Sequence, residues 1–172
     1  TAYLKAHHPV EFLAATMTLD LGNTEKLNVF RQELDRVGIQ LLGPDINKSG
    51  VVFQVTRANG QTKGIRYALA ALKNVGEGAM AGLIEEREEN GPFNDITDFV
   101  QRLDTRLVNK RQLENLARAG AFDSIEPNRR RVHESVETMM RHASAAQNDR
   151  ESNQMGLFAG ETAPQVTVHL PD

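Results

Sequence analysis

The sequence predicts a mainly α-helical chain with one small β-hairpin, two short helix pairs in tandem and a disordered tail. Three observations carry that expectation. Apolar residues recur at helical spacing, as in Leu27, Phe30, Leu34 and Val37, and again in Val132, Val136, Met139, Met140 and Ala143. Strand-like alternation occurs once, in "VVFQVT" from Val51, just ahead of Asn59-Gly60. From about Ala146 the composition turns to Ser, Asn, Gln, Asp, Glu, Gly, Thr and Pro, which cannot bury a core.

Each element follows from local signals. "AYLKAHHPVEFLAATMTL" reads as helix broken near Pro9, because proline lacks the N–H a helix interior needs. A second helix covers about Thr24 to Val37, capped by Asn23 or Thr24 and stopped at Gly38. Val51, Phe53 and Val55 alternate with Val52, Gln54 and Thr56, and Asn59-Gly60 turns the chain, so a two-stranded ribbon is expected. It is too small to stand alone and must lean on helices. "ALAALKNVGEGAMAGLIEEREENG" reads as two helices around a glycine turn. Asn94 or Asp95 caps the helix in "PFNDITDFVQRLD". Asn109 and Gln112 have capping-box spacing ahead of "LENLARA", and Gly120 ends that helix.

Composition bounds the chemistry. The chain has 172 residues, 40% hydrophobic but only 5% aromatic, with no Trp, so the core is aliphatic. No Cys means no disulfide and no thiolate metal site, which fits a reducing compartment. No apolar run reaches membrane length, so no membrane partner is expected. The chain opens at Thr1 directly in helical periodicity, as expected of a piece of a longer protein. Net charge is −3, but sign alternates in blocks. Arg57 to Lys73 holds four basic residues and no acidic ones, Glu77 to Asp104 has a net of −6, and Thr105 to Arg131 a net of +4. One face of an acidic molecule can thus be basic.

The residues that point to a partner lie in the turns. "KNVGEG", from Lys73 through Asn74, Val75, Gly76 and Glu77 to Gly78, is a hydrophobic-Gly-x-Gly turn of the helix-hairpin-helix pattern. A helix starting near Gly78 leaves its first amides without partners, and its dipole attracts anions. The glycines let a phosphate approach those N–H groups, and Lys73 reinforces the attraction. Such contact touches only the backbone of duplex DNA and is independent of its sequence. The second pair opens at Asn109, with Lys110 and Arg111 as phosphate contacts. The alternatives are plain: any helix pair needs glycine in its turn, and Lys110 and Arg111 also suit a solvated face.

Other chemistry finds little support. His7 and His8 are adjacent, point about 100° apart in a helix and lack a third ligand, so no metal is expected. Glu85, Glu86, Glu88 and Glu89 form a surface run with no partner to tune them, and the sequence contains no nucleophile elbow or P-loop. Arg129 to Arg131 reads as a solvated charge run, with phosphate contact as the alternative. No catalytic residue is expected. In the tail, Gln154, Met155, Gly156, Leu157 and Phe158 make a Gln-x-x-Leu-Phe pattern. An aliphatic-aromatic pair in a polar tail is expected to bury in a pocket on a partner, with the Gln amide fixing its orientation.

Taken in order, these segments resemble the alpha subunit of bacterial DNA polymerase III. "AYLKAHHPVEFLAATMT" is similar to the last helices of its fingers region, "GPDINKSG" to its Pro-Asp-Ile-Asn turn, "GIRYALAALKNVGEGA" and "NKRQLENLARAGAFD" to its tandem helix-hairpin-helix segment, and "QMGLF" to its sliding-clamp motif. The resemblance implies residues 1–48 from the fingers, 49–126 as ribbon plus hairpin unit, 127–146 as a connecting helix and 147–172 as a flexible tail with the clamp motif. It implies duplex DNA, the sliding clamp and other holoenzyme subunits as partners, and a cytoplasmic setting. The resemblance further implies that template-directed DNA synthesis with magnesium belongs to palm carboxylates upstream, and no cofactor is expected in this stretch. The competing reading is a DNA-repair or nuclease accessory module with helix-hairpin-helix units and a clamp peptide.

Overall fold

The computed structural model describes residues 2–58 and 60–155, the last three without their side chains. Pro9 divides the N-terminal helix as its chemistry requires. Helix α1 (Ala2–His7) stops at His8, whose φ of −135° and ψ of 58° lie outside the helical range. A residue before proline is pushed from that range. Helix α2 (Pro9–Leu19) then starts on the proline, where its missing N–H is not needed. Helix α3 (Thr24–Arg36) is capped by Asn23, whose side chain accepts from Lys26 N at 3.1 Å. Leu27 and Leu34 are buried and Phe30 packs beside them. Val37 leaves the expected stripe and is 49% exposed, because the helix has already ended.

The sheet has three strands, not the expected two. Strand β1 (Leu41–Leu42) runs parallel to β3 (Gln61–Arg66), which pairs antiparallel with β2 (Gln54–Ala58), giving the order β1-β3-β2. Leu41 lies opposite Ile65. Gly64 makes this approach possible, since a methyl group there would lie 2.1 Å from the Gln40 carbonyl oxygen. Gly60 holds the hairpin turn at φ +76°, while Asn59 lies outside the described residues. Val51 and Val52 are not in β2. The carbonyls of Gly50 and Val51 instead accept from Leu69 N and Ala70 N, at 3.0 and 3.3 Å. The next element is corrected too: "ALAAL" is a single 3-10 turn (Leu69–Ala71), not a full helix, and Leu72 leaves it extended at ψ 136°.

Four more helices follow: α4 (Glu77–Asn90), α5 (Ile96–Arg102), α6 (Lys110–Ala119) and α7 (Arg129–Met155). Asp95 caps α5 by accepting from Asp98 N at 2.8 Å, and Gly120 ends α6 in the left-handed region at φ +80°. Helix α7 corrects the expected tail boundary. It continues past Ala146 to Met155, and buried Gln147 accepts from Thr105 N and Oγ1 at 3.1 and 2.8 Å. Nor is α7 a mere connector: Val132, Val136, Met139 and Ala143 are buried against α5 and α6.

Two apolar cores form. Leu13 and Met17 of α2, Leu27 and Leu34 of α3, Phe53 and Ile65 make the first. Met80, Leu83, Phe99, Leu113, Phe122 and Met139 are among the members of the second. The ribbon therefore packs with the N-terminal helices rather than with the hairpins it was expected to join in residues 49–126. The Pro-Asp-Ile-Asn turn spans the seam. Ile46 enters the second core and its N–H donates to Ala121 O at 2.7 Å. Asn47 exchanges two hydrogen bonds of 2.8 Å with the Phe93 backbone. Arg87 Nη1 donates to the carbonyls of Ile46 and Ser49, and burial lowers its pKa. This motif is a structural clasp.

Candidate nucleic-acid interface

The first hairpin turn is held from below and open above. Val75 is buried, and its N–H donates to Leu72 O at 3.1 Å. Asn74 takes the left-handed conformation, φ 59°, which asparagine tolerates better than most residues. Lys73, Asn74, Gly76, Glu77 and Gly78 are exposed. Gly76 is the N-cap of α4 and no side chain caps that end. The amides of the first turn therefore face outward with the positive end of the helix dipole. Nothing lies within 4 Å of where a Gly78 side chain would start, so an anion can approach there. Glu77 sits in the same turn and competes electrostatically with any anion.

The second turn repeats the plan with a different finish. Val108 is buried like Val75, and Asn109 takes the N-cap position. Here the capping box is complete: Gln112 N donates to Asn109 Oδ1 at 3.0 Å and Asn109 N to Gln112 Oε1 at 2.8 Å. Those two amides are already satisfied, which leaves the N–H groups and side chains of Lys110 and Arg111 as the donors this end can offer an anion. Arg111 is exposed and makes no ion pair among the described residues. Lys110 Nζ lies 3.2 Å from Glu137 Oε2 on α7. Burial was not the signal that would have revealed Glu137, since its side chain is 82% exposed.

The fold brings the two turns together. A methyl group on Gly76 would lie 3.1 Å from Gln112 Nε2. The N-cap of α4 thus abuts the first turn of α6, the turn that carries Lys110 and Arg111. Gln112, 8% exposed, closes its own helix with one end of its amide and packs on the neighbouring turn with the other. The capping spacing announced Gln112, but its role between the hairpins could not be read from sequence. The Arg129–Arg131 run stays apart from this chemistry. Arg129 pairs with Asp123, Arg130 with Glu134 and Arg131 with Glu126, so all three already hold carboxylates.

Among the described residues, no group of three or more His, Cys, Asp or Glu could hold a metal ion, and no helix is long and apolar enough to cross a membrane. Of the tail pattern, Gln154 and Met155 end α7 without described side chains. Gly156, Leu157 and Phe158 lie outside the described residues.

A family model described as the helix-hairpin-helix motif matches residues 38–132, which contain both turns and the sheet. The chain belongs to the helix-hairpin-helix family. It is similar to DNA polymerase III subunit alpha of Caulobacter vibrioides (strain NA1000 / CB15N), with 52% identity over 161 residues, 94% of this chain. The same subunit of Thermus aquaticus is 39% identical over 99% of the chain, and that of Neisseria meningitidis serogroup A 42% over 92%. The chain spans 14% of the length of the first two relatives and 13% of the third. The likeness to the Thermus aquaticus subunit, which covers 99% of the chain, also takes in the N-terminal helices that lie ahead of the family match.

Proposed function

We propose that this chain is the duplex-gripping segment of a bacterial replicative DNA polymerase III alpha subunit. The observation that carries the reading is the meeting of Gly76 and Gln112, which sets an uncapped helix start beside Lys110 and Arg111. Backbone amides and cations on one face suit phosphates and carry no base information, so binding is independent of DNA sequence. The reading is supported over a repair or nuclease module by the likeness to polymerase subunits, which runs through α1, α2 and α3 ahead of the hairpins. Nucleotide addition, with magnesium as its cofactor, then falls to parts of the whole protein beyond this chain, working in the cytoplasm with other holoenzyme subunits. Gln154 to Phe158 is read as the peptide that docks on the sliding clamp.

The test is duplex binding by the full chain across a salt series. Contact with about four phosphates gives a log–log slope of about −3.6. Lys110→Glu with Arg111→Glu weakens binding to every sequence alike. Unchanged affinity, or strong preference for one sequence, refutes the phosphate contact. Clamp docking is tested separately by calorimetry. Leu157→Ala or Phe158→Ala should each cost about 2–4 kcal/mol, and equal binding by wild type and variants refutes the anchor role.

A further inference from the structure

Between α4, α5 and the loop leading into α6 lies a cavity of about 260 Å³. Its floor is apolar, formed by the buried side chains of Leu83, Phe93, Phe99 and Leu103. Its lip is Leu107, 48% exposed although large and apolar. Leu107 lies across Gly82, where a methyl group would come within 2.6 Å of its Cδ1. The glycine lets this lip rest against α4.

The rim is acidic. Glu86 and Asp104 are already engaged, by Arg102 at 2.9 Å and Arg106 at 2.8 Å. Arg102 also lies over the Phe93 ring, 4.4 Å from its centroid, and is fully occupied. Glu85 and Glu89 are different. Both are exposed, both line the cavity, and neither makes an ion pair among the described residues. They stand one helical turn apart, where like charges repel.

Size and sign identify the occupant. Small-molecule sites usually enclose about 300–1,000 Å³, whereas a cavity of about 150 Å³ accepts benzene. The volume here fits one large apolar side chain. DNA is repelled by the rim, so the groove does not extend the hairpin face. The chain's own Leu157-Phe158 pair has Glu151 and Glu161 as its nearest charged neighbours in sequence and is a poor electrostatic match. We propose that this groove docks a segment of a partner protein in which a leucine or aromatic anchor is flanked by Lys or Arg. The anchor enters beneath Leu107, and the flanking cations meet Glu85 and Glu89.

The experiment uses the full chain and three labelled hexapeptides: four lysines around Leu-Phe, four lysines around Ser-Ser, and four glutamates around Leu-Phe. The first should bind, with amide shifts in NMR spectra centred on Gly82 and Leu107. The lysine-serine peptide should bind at least about tenfold more weakly, since the anchor is gone. The glutamate peptide should not bind. Glu85→Gln with Glu89→Gln should weaken the first peptide by about three- to tenfold, with circular dichroism unchanged. Duplex affinity should not fall in that variant, which separates this site from the hairpin reading. No binding of the first peptide at about 1 mM overturns the proposal. So does equal binding of either control, or shifts centred elsewhere.

Discussion

Removing the Glu137 carboxylate should tighten the grip on duplex DNA. In the free chain Lys110 Nζ rests 3.2 Å from Glu137 Oε2, and a phosphate arriving at the start of α6 must draw it away. The two side chains are 54% and 82% exposed, so water and salt weaken the pair. Such exposed pairs are worth about 0.2–1 kcal/mol. At about 1.4 kcal/mol per tenfold, releasing Lys110 should raise affinity about 1.4- to 5-fold. Glu137→Gln keeps the size and drops the charge. The assay is fluorescence anisotropy of a labelled duplex of mixed sequence at several salt concentrations. Glu25→Gln, on α3, changes the net charge equally without touching the hairpins. In a Lys110→Gln background the Glu137 substitution should lose its effect. An equal gain from Glu25→Gln would refute the local competition in favour of net charge. A loss of affinity would mean that Glu137 positions Lys110 rather than occupying it.

Other outcomes follow from features of the fold. Asn109→Ala removes the acceptor for Gln112 N and should cost about 0.5–2 kcal/mol in denaturant unfolding, with a cost near zero refuting the cap. Gly64→Ala drives a methyl group toward the Gln40 carbonyl and should cost about 1–3 kcal/mol while loosening β1, read by faster exchange of the Ile65 and Tyr67 amides. Hydrogen bonding from Arg106 holds the Asp104 carboxyl below its ordinary value. A depressed pKa stabilises the fold above the ordinary carboxylate value of about 3.9, and that contribution is lost as pH falls through the lower folded value. The thermal midpoints of wild type and Asp104→Asn should therefore differ near pH 7 and converge in acid, and a gap independent of pH would refute the pairing.

Local signals were legible in the sequence where the chemistry is local. Asn23, Asp95 and the Asn109–Gln112 box cap helices as expected because donor and acceptor lie within a turn of each other. Gly38 and Gly120 stop helices for the same reason. Long-range partners were not legible. Strand β1 exists because Leu41 and Leu42 find β3, and two leucines alone carry no strand period. "ALAAL" has good helix formers, yet the backbone turns extended at Leu72, while the start of the turn is tied to the Gly50 and Val51 carbonyls. The polar residues after Ala146 stay helical where Gln147 reaches back to Thr105. At the site, each turn was visible alone. Their contact through Gly76 and Gln112, and the competition of Glu137 for Lys110, are products of the tertiary fold.

Helix α7 has a geometric consequence. Its 27 residues make a rod of about 40 Å. The rod is bolted along α5 and α6 by Val132, Val136, Met139 and Ala143, and farther on by Gln147. The departure of α7 from the hairpin face, where it ends at Met155, is thus set by a ruler, in both distance and azimuth. One residue inserted after Gln147 would turn that departure by about 100° and advance it by about 1.5 Å. Seven residues, close to two full turns, would move it outward by about 10 Å and nearly restore its bearing. Helical phase, rather than length alone, then determines the bearing at which α7 ends.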